Sequence, residues 1–464
     1  MGKKEFTAVD MAVYGEFSLP GTFLSPEKPL GNFWMDSRRV SEGDVFIAFE
    51  TEQDDGHRYV ESALAKGASA ALVNKSKLSM FDKEMSDRLI PVDDTLAALQ
   101  DIALGHRKLL DTEVIAVTGS NGKTTTRDFT GKVFSSEKRT WIPPGSWNNH
   151  IGVPLSLLRI RGDVEYALIE MGTNHPGEIG QLSRIARPDM SIITNVGYAH
   201  IGNFGSLDAT AEEKTDIVKG MDSRSGTVLI NRDDSLLLKV LAGKWENIKT
   251  FGVENDADFR AEEIRTETEA GNLLTRFKVG GTEYQINAAG VHFVYNALAA
   301  ISAGSTAGIK PESMVSSLKG IYPGPMRGAV LKYKGVTYIP DCYNANPTSM
   351  EYALKILAAV PCENRRIAVV GDMLELGSFS EKEHTDLGRK MDSMQIDVVV
   401  AVGKYAGLIC REINGAECFS APDSDSSAEI VREILEEGDT VLLKASRGVA
   451  LEKILYTLGV WSAE

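Results

Sequence analysis

The sequence predicts an α/β protein of three domains with mostly parallel sheets. Three observations carry that expectation. A short apolar run, Val114-Ile-Ala-Val117, meets a glycine-containing turn, Thr118-Gly119-Ser-Asn121-Gly122, and the stretch Arg127–Phe134 that follows the loop can continue as a helix. That strand–loop–helix order belongs to parallel sheets. Elsewhere apolar runs alternate with helical stretches, as β–α crossovers require. A Pro/Gly cluster, Pro323-Gly-Pro325, marks a late boundary, and 464 residues are enough for about three domains.

A formal net charge of −15, with no Lys/Arg block, argues against broad nucleic-acid binding. Met1-Gly-Lys-Lys-Glu-Phe6 is charged but leads into no apolar h-region, so no signal peptide is expected. No apolar run reaches transmembrane length, so no membrane insertion is expected either. Cys342, Cys362, Cys410 and Cys418 form no C-x-x-C pair and read as reduced thiols of a cytoplasmic protein.

The first domain is expected over residues 1–94. Residues 17–30 are rich in Pro and Gly and read as irregular. A strand ends at Phe49, a helix follows His57, Gly67 stops it, and a second strand ends at Val73. Asp36, Ser37, Arg38 and His57 fall at element ends, where ligand groups are often placed; a capped turn with solvated arginines explains them equally well.

The second domain is expected over residues 95–321, opening on a helix at 95–104. Its turn at 118–124 aims backbone N–H groups and a helix N-terminus at one point, which suits phosphate. Lys123 adds a cation, the Thr124 hydroxyl can bind Mg²⁺, and Thr125 follows in the same first turn. The longer pattern G-x-x-x-x-G-K-[ST] fails because Val117 stands where its first glycine belongs. A polar loop carries Asn148 and Asn149, whose amides suit a polar substrate or simply a turn. Apolar strands then end near Glu170 and before His200. Ligands of open parallel sheets sit beyond the carboxyl ends of the strands, so Thr124, Glu170 and His200 form a candidate metal set. Ser206 is the expected N-cap of a helix through Lys219, residues 258–287 read as antiparallel hairpins, and 292–307 as an Ala-rich helix containing Asn296.

The third domain is expected over residues 322–464, with strands alternating with helices as in a doubly wound sheet. Polar groups cluster near its strand ends. Gly403-Lys404 reads as a plain turn, since no Ser or Thr follows.

These stretches together resemble the Mur ligase family, ATP-dependent amide-forming enzymes of peptidoglycan assembly. The resemblance rests on Thr-Gly-x-x-Gly-Lys-Thr at 118–124, Asn174-His-Pro-Gly-Glu-Ile179, Tyr343-Asn-Ala-Asn-Pro347, Gly371-Asp-Met-Leu-Glu-Leu-Gly377 and Lys444-Ala-Ser-Arg447. Ala445 replaces the usual glycine of the last, and the first 34 residues match no pattern. The resemblance implies an N-terminal UDP-sugar-binding α/β domain, a central P-loop ATPase domain and a C-terminal Rossmann-like domain. It points to the branch that joins D-alanyl-D-alanine to UDP-N-acetylmuramoyl-tripeptide. By the same resemblance Lys123 and Thr124 serve ATP phosphates and Mg²⁺, while Glu170 and His200 serve two metal sites. Lys214 aligns with a lysine carried as a CO₂-derived carbamate. Asn296 would contact adenine, and Arg327 and Asp341 would close onto the nucleotide. Ser37, Arg38, His57, Asn148 and Asn149 would hold the UDP-muramoyl peptide, and Asn344, Asn346, Ser446 and Arg447 the dipeptide. A monomer is expected. Composition alone would make Lys214 a solvated helical lysine beside two acids. The rival readings are a related ligase for another carboxylate and a P-loop ATPase that makes no ligated product.

Overall fold

Three sheets organise the computed structural model, which describes residues 6–19, 27, 29–269 and 272–462. The first is four parallel strands in chain order, Phe33–Trp34, Val45–Ile47, Ala70–Asn74 and Leu89–Val92. The third has six strands. An antiparallel edge, Leu331–Tyr333 on Val336–Pro340, leads into the parallel order Thr440–Lys444, Arg366–Gly371, Val398–Val402 and Glu417–Ala421.

The central sheet has nine strands. Glu113–Thr118 lies between Met190–Ile193 and Tyr166–Glu170, all parallel. Thr140–Trp141 forms one edge. On the other side Thr227–Asn231 and Ile248–Gly252 continue the parallel order, and the antiparallel run Phe259–Glu269, Asn272–Val279 and Thr282–Ile286 ends the sheet.

Strand alternation explains the layering. Successive side chains on a strand point to opposite faces, so each sheet feeds two cores. Val114 and Ala116 join the core shared with Val45, Ile47 and Leu72 of the first sheet. Ile115 and Val117 join the core shared with Ile339, Ala368 and Val370 of the third. Phe46 and Val73 cover the outer face of the first sheet, and Ile367 and Val369 that of the third. Strands covered on both faces become continuous apolar runs, the signal seen at 114–117. Apolar packing therefore crosses residues 94 and 321 without interruption.

Several local expectations change. The helix opening the second domain runs Thr95–Leu109, with the Asp94 carboxylate accepting from the N–H groups of Leu96 and Ala97. Ser206 does cap its helix, but the α-helix ends at Thr215 and tightens into a 3₁₀ turn, Asp216–Gly220. The four reduced thiols are corrected. Cys410 and Cys418 form a disulfide, leaving Cys342 and Cys362 free. The helix Ala406–Arg411 turns directly into the strand Glu417–Ala421, bringing the two Cα atoms to 5.7 Å. Chain reversal rather than C-x-x-C spacing makes that pair. Residues 1–5 of the charged N-terminus, and residues 20–26 and 28 of the Pro/Gly-rich stretch, lie outside the described residues. Among the described residues no helix is long and apolar enough to cross a membrane.

Candidate active site

The Gly-containing turn sits at the carboxyl end of the central strand, where the chain crosses from one side of the sheet to the other. Such a switch point opens a crevice between diverging connections. Here it is a cavity of about 1010 Å³ lined by both the central and the third domains.

The loop is held from behind. Asn195 accepts from Ser120 N–H through its carbonyl (2.9 Å) and from Asn121 N–H through its side chain (2.9 Å). The Thr194 hydroxyl donates to Asn121 O at 2.6 Å. Gly119, at φ +144°, lies so close to the Thr194 side chain that a Cβ there would collide with it. Gly122, at φ +78°, enters the helix Lys123–Ser135 without a side-chain cap. That leaves the helix N-terminus turned to the cavity, as an anion requires. Lys123 Nζ donates to Gly119 O (2.7 Å) and Ser120 O (3.3 Å); burial lowers its pKa, with Glu170 opposing and Arg327 reinforcing. Thr124 and Thr125 also line the cavity. Thr118 does not; its hydroxyl donates to Met171 O at 2.8 Å, so its side chain secures the strand end instead.

Around the loop stand the other groups. Glu170 is 1% exposed; Oε1 accepts from Asn148 Nδ2 at 2.8 Å, and Oε2 is buried without a hydrogen-bond partner, the Arg127 guanidinium lying 3.4 Å away. His200 Nδ1 lies 2.5 Å from Glu375 Oε2 of the third domain, a contact that lowers the Glu375 pKa. Metal-binding imidazoles are commonly oriented by a carboxylate on the other ring nitrogen. Among the described residues no three His, Cys, Asp or Glu side chains gather as a self-sufficient metal cluster. An orphan Glu170 oxygen, a Thr124 hydroxyl and the His200 imidazole, all lining the cavity, are a donor set that fits Mg²⁺ completed by phosphate oxygens and water.

Lys214 is 1% exposed, which removes the solvated reading. Burial takes its pKa well below the ordinary value, with Lys123 adding repulsion against the attraction of Glu213 and Glu178. Lys214 is not among the residues that line the cavity; its neighbour Glu213 accepts from Gly177 and Ile179 N–H groups at 2.6 and 2.8 Å.

The third domain reaches the loop. Arg327 Nη2 donates to Thr124 Oγ1 at 3.0 Å, and its guanidinium stacks 3.9 Å from the Tyr343 ring centroid. Asn346 Nδ2 donates to Asn121 Oδ1 at 2.7 Å while its own side chain caps the helix Pro347–Ala359. Asp341, its pKa raised by burial against the pull of Lys444, pairs with that lysine at 2.9 Å, and Lys444 also donates to Asn344 O at 2.8 Å. Arg447 lines the cavity and pairs with Glu452; Ser446 is buried, donating to Ala345 O and accepting from Leu374 N–H, and is a structural group.

Not every expected residue is in the cavity. His57 is 2% exposed, with Nδ1 on Asp55 at 2.6 Å and Nε2 accepting from Asn74 N–H at 3.0 Å; both nitrogens are taken, so it is a core histidine rather than a ligand group. Ser37 is buried and Arg38 exposed on Asp36, both apart from the cavity. Asn148 and Asn149 do line it, although Asn149 Oδ1 caps the next helix through Ile151 and Gly152 N–H groups.

Asn296, expected from the resemblance, lines the cavity, and its Oδ1 accepts from Thr126 Oγ1 at 3.1 Å, behind Gly122. The structure also adds residues that the sequence reading passed over. His292 lies one turn before Asn296 on the same helix, Val291–Thr306, and also lines the cavity. Burial, then Lys444, takes its pKa to about 3, so it is a neutral ring against Phe293 and Tyr352. The i, i+4 spacing after Gly290 was its available signal. Asp233 is another. Burial would raise its pKa, but N–H donors from Val253, Glu254 and Asn255 and the Tyr295 hydroxyl at 2.7 Å hold it at about 2.

Comparison with known proteins agrees with this layout. The family model described as "Mur ligase family, catalytic domain" matches residues 32–107, "Mur ligase middle domain" residues 117–304, and "Mur ligase, glutamate ligase domain" residues 326–447. The UDP-N-acetylmuramoyl-tripeptide--D-alanyl-D-alanine ligase of Bacillus subtilis (strain 168) is 36% identical, covering 91% of this chain and 92% of its own. That of Escherichia coli (strain K12) is 31% identical, with 91% and 92% covered. A crystal structure of MurF from Acinetobacter baumannii superposes with a TM-score of 0.86 at 28% identity over 99% of this chain and all of its own. MurF from Thermotoga maritima, solved with ADP, gives 0.78 at 27% identity over 92% and 96%.

Proposed function

The chain belongs to the Mur ligase family, and from that premise we propose that it joins D-alanyl-D-alanine to UDP-N-acetylmuramoyl-tripeptide, with ATP cleaved to ADP and phosphate, in peptidoglycan precursor synthesis. We take it to act in the cytoplasm as a monomer, with domains 1–94, 95–321 and 322–464 for the UDP-muramoyl peptide, ATP and the dipeptide. The observation that carries the reading is that Arg327 and Asn346 of the third domain touch the phosphate loop of the second within one cavity.

The tripeptide carboxylate attacks the γ-phosphorus, an O–P bond forms as the bond to ADP breaks, and an acyl phosphate results. The neutral amine of D-alanyl-D-alanine then attacks the acyl carbon; phosphate leaves and the amine proton passes to solvent. Phosphoryl transfer needs positioning and charge neutralisation more than covalent help. Lys123 and the helix N-terminus hold the phosphates, and Arg327 adds charge from the third domain. Thr124, Glu170 and His200 would hold Mg²⁺, which when bound neutralises phosphate charge. Asn296 and His292 face the nucleotide, Asp341 and Lys444 set the closing edge, and Asn344, Asn346 and Arg447 stand where the dipeptide would enter. Ser37 and Arg38 are assigned to the UDP-sugar end. Lys214 is assigned a carbamate: its neutral amine nitrogen bonds the carbon of CO₂ and releases a proton, giving an anionic oxygen donor of the kind Mg²⁺ prefers.

The test is coupled phosphate release by the purified protein. Release that requires both UDP-muramoyl tripeptide and D-alanyl-D-alanine is expected. Release independent of either would mark a non-ligating ATPase, and a requirement for a different carboxylate would mark a related ligase.

Two variants address closure. Arg327→Ala should lower kcat about a hundredfold while calorimetric affinity for the UDP-peptide changes little, because the lost charge acts on the transferring group. Equal losses in both would refute a closing arm. Gly202→Ala places a Cβ 2.8 Å from Gly377 N and 2.9 Å from Glu375 O, both backbone atoms of the third domain. The third domain must shift away, and a misplacement near 1 Å can cost about a hundredfold in rate. Turnover should fall while ADP affinity holds; unchanged turnover would show that this seam is not part of the working geometry.

A further inference from the structure

Trp34 of the first domain carries two guanidinium groups, Arg39 at 4.3 Å and Arg159 at 4.1 Å from the ring centroid. Arg159 also lies 4.3 Å from the Trp147 centroid, so it is stacked between two indoles. Its Nε and Nη2 are buried and have no hydrogen-bond partner. A weakly hydrated, planar cation tolerates that position; a lysine ammonium does not.

Both ends of the stack are anchored. The Trp34 indole N–H donates to Asp44 Oδ2 at 3.0 Å, and Asp44 also accepts from Asn32 and Ser41 N–H groups. Trp147 packs against Gly152, where any Cβ would meet the Trp147 backbone at 2.8 Å. The loop around Trp147 then touches the phosphate centre three times. Gly145 O accepts from Arg127 at 2.6 Å, Ser146 Oγ lies 3.4 Å from Thr124 Oγ1, and Asn148 Nδ2 donates to Glu170 at 2.8 Å.

We propose that Arg159, stacked between Trp34 and Trp147, is a positioning residue that registers the first domain against the catalytic loop, so that a substrate bound at its nucleotide end by the first domain presents its carboxylate correctly at the phosphate centre. This rests on the assignment of the UDP group to the first domain. Arg159 touches no reacting atom. Its effect is to let binding energy from the remote UDP group act at the reacting carboxylate, which requires the two halves of the site to hold a fixed spacing.

The experiment compares kcat/KM for UDP-N-acetylmuramoyl-tripeptide with that for the same tripeptide lacking UDP, in wild type, Arg159→Ala, Arg159→Lys and Trp147→Phe. The wild type should prefer the UDP substrate strongly. Arg159→Ala and Arg159→Lys should shrink that preference at least about tenfold, mostly by losing rate on the UDP substrate, with ATP affinity unchanged. Trp147→Phe retains a ring face and should keep most of the preference. A purely structural role would slow both substrates by one factor, and that result, or an unchanged preference, overturns the proposal. Where Arg159→Ala does not fold, Arg159→Lys carries the comparison. A wild type indifferent to UDP would instead sink the first-domain assignment and, with it, the positioning role of Arg159.

Discussion

Lys123→Ala should abolish ligation, lowering kcat at least about a thousandfold, while the purified protein keeps its circular dichroism and nearly its Tm. Lys123 Nζ is satisfied only by the carbonyls of Gly119 and Ser120 in its own loop, and burial already disfavours its charge. Removing it therefore deletes two modest hydrogen bonds and a desolvated cation together, terms of opposite sign. The loop keeps its shape through Asn195 and Thr194, which do not involve Lys123. Catalysis loses a cation aimed at the transferring phosphoryl group, and nothing nearby replaces it: Arg327 approaches from the other domain, onto Thr124. Turnover near the wild-type value in a steady-state phosphate assay would remove the central assignment.

Lys214→Ala should be almost inactive and partly restored by formate or acetate. Burial of a lysine only 1% exposed, with repulsion from Lys123 added, lowers its pKa well below the ordinary value and so favours the neutral amine, the form that reacts with CO₂. Because the folded state binds that proton less readily than the unfolded chain, the unmodified group's stability contribution is complete only above the ordinary lysine range and declines as pH falls toward the folded value. Carbamylation turns this cost into an anion useful to the phosphate centre. Alanine leaves space that a small carboxylate can enter. Lys214→Met fills that space, so it should be equally inactive, well folded and deaf to added acid. Crystals grown with metal should show a three-atom extension on Nζ. Full activity in Lys214→Ala, or an unmodified amine in active crystals, refutes the carbamate.

The phosphate loop was legible because its signal is local: an apolar strand, two glycines at positive φ and Lys-Thr within seven residues. The hairpins at 259–286 and the parallel order of the third sheet were legible for the same reason, since periodicity within one strand reports which faces are covered. The family resemblance carried candidate residues far apart in sequence, such as Arg327 and Asn346, onto positions that meet the loop.

Local signals could not reveal which polar groups face a ligand. His57 and Ser446 stand at element ends like the true lining residues, yet backbone partners from elsewhere in the fold occupy them. His292 looked like an ordinary helix residue until the third domain placed Lys444 and Tyr352 beside it. The disulfide depends on a chain reversal, and the buried state of Lys214 on packing around its helix. By itself the sequence determined the strands, the helices, the phosphate loop and the family, because each is written in neighbouring residues or in motifs. Only the tertiary structure decided which side chains are satisfied by the protein and which remain for a substrate, because burial and hydrogen-bond partners come from segments distant in the chain.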